Sequence, residues 1–274
     1  MTTLAEYVGS KDLLVNLTLR ELRTKYKRSL LGWVWSLLHP MAIMVILTLV
    51  FGVFLKVRPP TGSPSGLRSF PLFLLCGLLP WTFLVNGTTG SINSLTTNAN
   101  LIKKSYFPRE LLVVSQVLAW LISFLIEMLL LAIVFLVVGN LDLAYLPAVL
   151  LVMFALAVFV TGLGLALSAA NVYFRDVQHL VAIAFQLWFY LTPILYSIPE
   201  VPERAHLLGR ELPTRALYQL NPMVNFVEAI RDCLYHLRFP SAARLGSVLL
   251  VSALTFMVGL AVFMKLEGRF TEEL

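Results

Sequence analysis

No Asp, Glu, Lys or Arg occurs from Ser29 to Leu55, and the same absence recurs over Ser69–Ile102, Leu143–Phe174, Val177–Pro199 and Leu245–Met264. A further run, Leu111–Leu141, is interrupted only by Glu127. Roughly 20 apolar residues carry a helix across the hydrocarbon core of a bilayer, where every backbone N–H and C=O must find its partner within the segment. The runs therefore predict six spanning helices, over 32–57, 70–95, 111–138, 145–170, 178–198 and 244–265. The charged fraction of 13% is about half the roughly 25% of soluble domains, which excludes an ordinary soluble fold. The expected fold class is an all-α integral membrane protein.

Residues 1–31 read as a segment preceding the first span, 32–266 as a six-helix transmembrane domain and 267–274 as a tail. The charged N-terminal stretch has no apolar core followed by a small-residue cleavage site, so no removable signal peptide is expected. Lys11, Arg20, Arg23, Lys25, Lys27 and Arg28 precede the first span, and Lys103, Lys104, Arg109, Arg175, Lys265 and Arg269 fall on the same side after an even number of crossings. Basic residues stay on the cytoplasmic side, so both termini are expected in the cytoplasm. The last outer segment runs against this bias with Arg204, Arg210, Arg215, Arg231, Arg238 and Arg244, nearly balanced by Glu200, Glu203, Glu211, Glu228 and Asp232. Cys76 and Cys233 suggest neither a disulfide framework nor a metal site.

Two elements on the expected inner face look suited to contact. Over 11–28, Val15, Leu19, Leu22 and Tyr26 form one helical stripe, with Arg20, Arg23 and Lys27 along a flank and Glu21 and Lys25 spaced to pair. Such a cationic amphipathic helix lies on the membrane surface, where it either anchors on anionic headgroups or meets a partner protein. The loop 96–110 places Leu101 and Ile102 before Lys103 and Lys104, then Phe107, Pro108 and Arg109 ahead of the third span. Its basic residues either mark the inner face or serve a docking element. Outside, Asn221 and Pro222 form an N-cap and first-turn pair for a helix whose Met223, Phe226, Val227, Ile230, Leu234 and Leu237 share an apolar face. That helix is expected to be amphipathic and to dip into or re-enter the outer leaflet.

No phosphate-binding Gly-Lys-Ser/Thr loop and no His-Glu-x-x-His pattern occurs, so this chain is not expected to hydrolyse ATP, and it carries no set of catalytic or metal-ligating residues. Glu127 is the one carboxylate deep in a span; it either lines a polar path, relays a proton or pins two helices together. Trp33, Trp35, Trp81, Trp120 and Trp188, with Phe189, Tyr190 and Tyr196, serve either as an interfacial belt or as stacking surfaces for sugar rings. The four histidines, His39, His179, His206 and His236, read as interfacial. Pro80 and Pro193 fall inside predicted spans and should kink or interrupt them.

NLTLRELRTKYKRSLLGWVWSLLHP (16–40), FPLFLLCGLLPWTF (70–83), LIKKSYFPRELL (101–112), NVYFRDVQHL (171–180), YLTPILY (190–196) and LNPMVNFVEAIRD (220–232) follow one another in order. Together they resemble the membrane subunit of bacterial ABC exporters for cell-envelope polysaccharides, the O-antigen and teichoic acid export permeases. The resemblance implies a homodimer in the bacterial cytoplasmic membrane, served by two separate cytoplasmic ATPase subunits that hold ATP and Mg, with a lipid-linked glycan as cargo. It implies an interface helix carrying Arg20, Arg23, Tyr26 and Lys27, and an ATPase-coupling element of Leu101, Ile102, Lys103, Lys104, Phe107, Pro108 and Arg109. It implies outer re-entrant helices over 199–240 and an ion pair of Arg175 with Asp176 in the inner turn. Trp33, Trp35, Glu127, Tyr190, Pro193, Asn221 and Pro222 are then the candidates for channel and gate. An exporter of drugs or small lipids is the alternative, and a membrane-embedded glycosyl- or acyltransferase a more distant one. Membrane lipids are expected as partners as well, and nucleic acid is not.

Overall fold

The fold is a computed structural model that describes residues 11–26, 34–54, 56, 59–104, 107–207 and 210–273. Helix α1 spans Lys11–Tyr26, α2 Val34–Leu47, α3 Phe70–Thr97, α4 Ala99–Lys104, α5 Glu110–Val137, α6 Leu146–Tyr173 and α7 Val177–Tyr190. A two-stranded ribbon follows, β1 Ala205–Leu207 and β2 Arg210–Leu212, then α8 Thr214–Gln219, α9 Pro222–Arg231, α10 Ala242–Leu266 and α11 Phe270–Glu273. The strands pair antiparallel with His206 opposite Glu211. Apart from that short ribbon the described chain is helical, so the all-α expectation needs this one amendment.

Among the described residues four helices are long and apolar enough to cross a membrane: α3, α5, α6 with the 3₁₀ turn before it, and α10 with the turn after it. They fall within a few residues of the predicted second, third, fourth and sixth spans. The first predicted span is α2 extended by a π-helical stretch, Thr48–Phe54. The fifth differs. Its helix stops at Tyr190 after 14 residues, about 21 Å at 1.5 Å per residue, short of the predicted 178–198. The backbone then turns through 191–197, because Pro193 has no N–H to offer a helix and disfavours helical geometry at Thr192. Pro80, by contrast, is accommodated inside α3.

In lipid the side chains gain little by hiding from their surroundings, so helices associate through close packing and small residues. Helices α3, α5 and α6 share a core with Phe83 stacked on Phe124 at 4.8 Å and Phe159 against Phe226 of α9 at 5.6 Å. Asn171 on α6 donates to the Ile92 carbonyl of α3 at 3.2 Å. A second cluster, at the end of the bundle where both described termini lie, gathers Leu17 of α1, Ile102 of α4, Leu111 of α5, Val172 of α6 and Phe270 of α11. We call that end the terminal face and the opposite end the distal face.

Helix α1 packs along α5 through a stripe that keeps Leu22 of the predicted one but replaces Val15 and Leu19 by Leu17. Leu17 and Leu22 are buried, whereas Val15 is 56% and Leu19 42% exposed. The partner decides: α5 and the end of α3 offer polar groups, and α1 turns toward them. Gln116 donates to Glu21 at 2.7 Å, Arg20 to Asn98 at 2.7 Å and Lys25 to Ser123 at 2.9 Å, with the Lys25 ammonium 3.3 Å from the centre of the Trp120 ring.

Candidate functional site

Helices α2, α3 and α7 enclose a groove of about 350 Å³. Its floor is α3, where Leu78, Trp81, Thr82, Val85 and Asn86 recur at helical spacing. One wall is α2 with His39 and Ile43, and the other is α7 with Phe185, Gln186, Phe189 and Tyr190. Trp81 is the anchor. It is nearly fully buried and meets Phe185, Trp188 and Phe189 edge-on, with ring centres 5.6–6.2 Å apart, the arrangement favoured by aromatic quadrupoles. His39, Asn86, Gln186 and the Tyr190 hydroxyl make no hydrogen bond to any other described residue, so the groove presents unpaired polar groups beside flat apolar rings. Tyr190 is 64% exposed.

Hydrogen bonds join the break after α7 to the start of α9. Asn221 caps α9, accepting from the Met223 N–H at 3.0 Å and from the Trp188 indole at 2.8 Å, while its amide donates to the Leu191 carbonyl at 3.0 Å. Pro222 follows as the first helical residue. One asparagine thus joins the cap of α9, the end of α7 and the aromatic cluster over the groove.

Helix α9 does not leave a polar face to solvent, as an amphipathic surface helix would. Arg231, and Asp232 and Tyr235 in the π-helical turn Asp232–His236 that continues it, are buried together with the apolar residues. Arg231 is fully enclosed: its guanidinium donates to the carbonyls of Pro193 at 2.5 Å, Ile194 at 2.8 Å and Phe73 at 3.4 Å, pairs with Glu228 at 3.0 Å and lies 3.6 Å from the Phe73 ring centre. Asp232 is paired with Arg238 at 2.6 Å and with Arg244. Tyr235 donates to the Pro60 carbonyl at 2.8 Å and accepts from the Ser69 N–H at 3.2 Å, and Asn140 donates to the Leu234 carbonyl at 2.9 Å. Segment 221–238 is therefore tied to both distal loops and to α10. The near balance of charge in this segment is consumed largely by these contacts, with Arg215 and Glu203 at 3.0 Å adding another.

Glu127 lies elsewhere. It borders a separate cavity of about 380 Å³ with Pro40, Met41, Leu75, Leu79 and residues of α5 one to two turns further on. No described residue hydrogen-bonds to it, and Lys25 is the cation whose charge reaches it. The structure does not bring Glu127 and Tyr190 to one site.

At the terminal face, Ile102 turns inward while Lys103 and Lys104 are exposed. Phe107 packs on the terminal cluster, and Arg109 donates to the Glu267 carbonyl at 2.6 Å. The 101–109 element is thus fastened to the segment after α10, and Tyr173 adds a bond to the Leu266 carbonyl at 2.8 Å. Arg175 and Asp176 form no ion pair: both are exposed, and the turn is held by the backbone, with Val177 N–H to the Phe174 carbonyl at 3.1 Å and His179 N–H to the Asp176 carbonyl at 3.0 Å. Adjacent exposed charges gain too little in water to fix a geometry. Arg20 and Arg23 lie on α1, and Tyr26 ends it; the side chains of Tyr26 and Trp35 and the whole of Lys27 and Trp33 fall outside the described residues.

Sequence reading did not single out Arg231, Asn86 or Gln186, and it placed His39 at an interface. For Arg231 a signal exists: a Glu228/Arg231 pair three residues apart within an otherwise apolar helix is affordable only if the charges meet each other.

Residues 12–235 match the model of the family described as ABC-2 type transporter. The chain is similar to the O-antigen export system permease protein RfbA of Klebsiella pneumoniae, 29% identical over 95% of this chain and 94% of that protein. It is similar to RfbA of Myxococcus xanthus, 28% identical over 96% of each chain. It is similar also to the polysialic acid transport protein KpsM of Escherichia coli, 24% identical over 90% of each.

Proposed function

This chain belongs to the ABC-2 type transporter family as a membrane permease subunit without an ATPase domain of its own, and from that premise we propose that it forms half of the passage through which a lipid-linked surface polysaccharide leaves the cytoplasm. ABC-2 permeases work with ABC ATPase subunits; the finer reading is a homodimer above two such subunits. Relatives are named for O-antigen and for polysialic acid, an acidic polymer, and the reading takes in both.

The observation that carries it is the groove between α2, α3 and α7. A sugar chain cannot enter lipid bare, because each hydroxyl stripped of water without a new partner costs roughly 2–7 kcal/mol. Unpaired groups on His39, Asn86, Gln186 and Tyr190 supply such partners, and the rings around Trp81 offer faces for the C–H side of a pyranose. The groove is open on one side, which a second copy would close. Segment 221–238 is the lid at its outer end, and the terminal face is cytoplasmic.

Depleting the protein should make lipid-linked glycan accumulate on the inner side while surface glycan falls. Tyr190→Ala together with Gln186→Ala should lower surface glycan at unchanged protein level. Unchanged export in the double variant would remove the groove from the path.

Coupling runs through 101–109 in this reading. Lys103 and Lys104 face out for a partner, while Ile102, Phe107 and Arg109 hold the element to the bundle. Phe107→Ala with Arg109→Ala should weaken permease-stimulated ATP hydrolysis about fivefold or more, the scale of a typical coupling energy, with membrane insertion intact. Full stimulation in that variant would show that the element does not transmit.

A further inference from the structure

Resting on that reading, we propose that the polymer carried through the groove is built of uncharged sugar repeats. The three elements that wall the groove come from stretches with no Asp, Glu, Lys or Arg at all: Ser29–Leu55, Ser69–Ile102 and Val177–Pro199. Whichever of their side chains turns toward the cargo, none is a carboxylate, ammonium or guanidinium, and the imidazoles of His39 and His179 are the groups there that could take up a proton. The titratable groups among the described lining residues are His39 and Tyr190. Glu127 opens on its own cavity. The nearby distal charges are engaged, Arg231 with Glu228, and Arg238 and Arg244 with Asp232.

An acidic polymer would bring a carboxylate or phosphate into this low-dielectric space with every repeat, and an anion leaving water needs a cation or several donors fixed beside it. Among the described lining residues there is no Lys or Arg to serve as that cation, and His39 is a single imidazole. A neutral repeat asks only for exchange of hydroxyl hydrogen bonds, which the carboxamides of Asn86 and Gln186 can both give and accept, and for apolar contact with the rings of Trp81, Phe189 and Tyr190. A charged carrier headgroup brings its charge once per molecule; an acidic chain brings it with every repeat. Between the neutral and acidic polymers the family reading admits, the charge-free wall selects the first.

The test is chemical analysis of what accumulates when the full-length protein is depleted in its own cells. The lipid-linked glycan is extracted, released from its carrier, passed over an anion-exchange column at neutral pH and assayed for acidic sugars and phosphate per repeat. The expected result is a glycan that flows through, with no acid in the repeat. Retention that grows with chain length, reflecting an acidic group in every repeat, overturns the inference while leaving the export reading in place. If no lipid-linked glycan accumulates, the export reading itself fails and this inference falls with it.

Discussion

Arg231→Ala is expected to lower the stability of the folded chain by about 3–5 kcal/mol, the scale found when one partner of a buried ion pair is removed. The guanidinium is wholly enclosed and serves the carbonyls of Pro193, Ile194 and Phe73 as well as the Glu228 carboxylate. Truncation leaves that carboxylate buried without its cation and the carbonyls without their donor, and it removes the plate that covers the Phe73 ring. Space is also committed around it, since a side chain on Gly77 would come within 3.2 Å of the guanidinium. Thermal unfolding of the purified protein in detergent should show a large fall in midpoint, and limited proteolysis should open 193–240 first. Arg231→Lys should lie between, because an ammonium lacks the planar fork that reaches two sides at once. Arg231→Met with Glu228→Leu should recover the part due to the stranded carboxylate but not the part due to the carbonyls. A midpoint for Arg231→Ala equal to the parent's would mean that this contact set does not hold the distal segment.

The clamp also bears on transport. Pro193 and Ile194 lie in the turn directly after α7, whose Gln186 and Tyr190 wall the groove, and Asn221 ties the same turn to the indole of Trp188. Loosening Arg231 therefore frees the lid and one wall together. An opening motion that kept these bonds would carry the turn and α9 as one body.

What was legible in the sequence follows from how each signal arises. Spanning helices announce themselves because lipid forbids charge and unpaired backbone along a whole run, and α3, α5, α6 and α10 fall where charge is missing. The same signal overran α7, since the absence of charge does not distinguish a helix from a turn sheltered by protein, and Leu191–Ser197 carries no charge. On α1 the apolar positions Leu13, Leu14, Val15, Leu17, Leu19 and Leu22 admit more than one stripe, and only the polar groups of α5 and Asn98 select the face with Leu17 and Leu22. The cap at Asn221 was visible because capping is local. Its bonds to Trp188 and Leu191 were not, nor was the groove, which needs His39, Asn86 and Gln186 from three separate helices. The enclosure of Arg231 was not legible either, because periodicity records position on a helix and not what packs against it.

Gly259→Leu should be the most damaging single change in the last spanning helix, by about 3 kcal/mol or more, at or beyond the upper end of the usual overpacking range. Helices α6 and α10 cross with glycine against glycine: a Cβ on Gly259 would sit 2.0 Å from the Gly162 carbonyl oxygen, and one on Gly162 would sit 2.5 Å from the Thr255 carbonyl. The obstacles are backbone atoms, which cannot rotate aside as a side chain can. Even Gly259→Ala must spread the two helices, and the loss reaches contacts all along a seam that relies on close approach rather than on expulsion of water. The same helix supplies its own control, because a Cβ on Gly246 meets nothing within 4 Å. Gly246→Ala should therefore be neutral or stabilising by up to about 1 kcal/mol, the propensity gain of alanine over glycine in a helix. Paired melting curves of the two alanine variants separate close packing from helix propensity. If Gly246→Ala and Gly259→Ala shift the midpoint alike, α6 and α10 do not meet at this crossing in the folded protein.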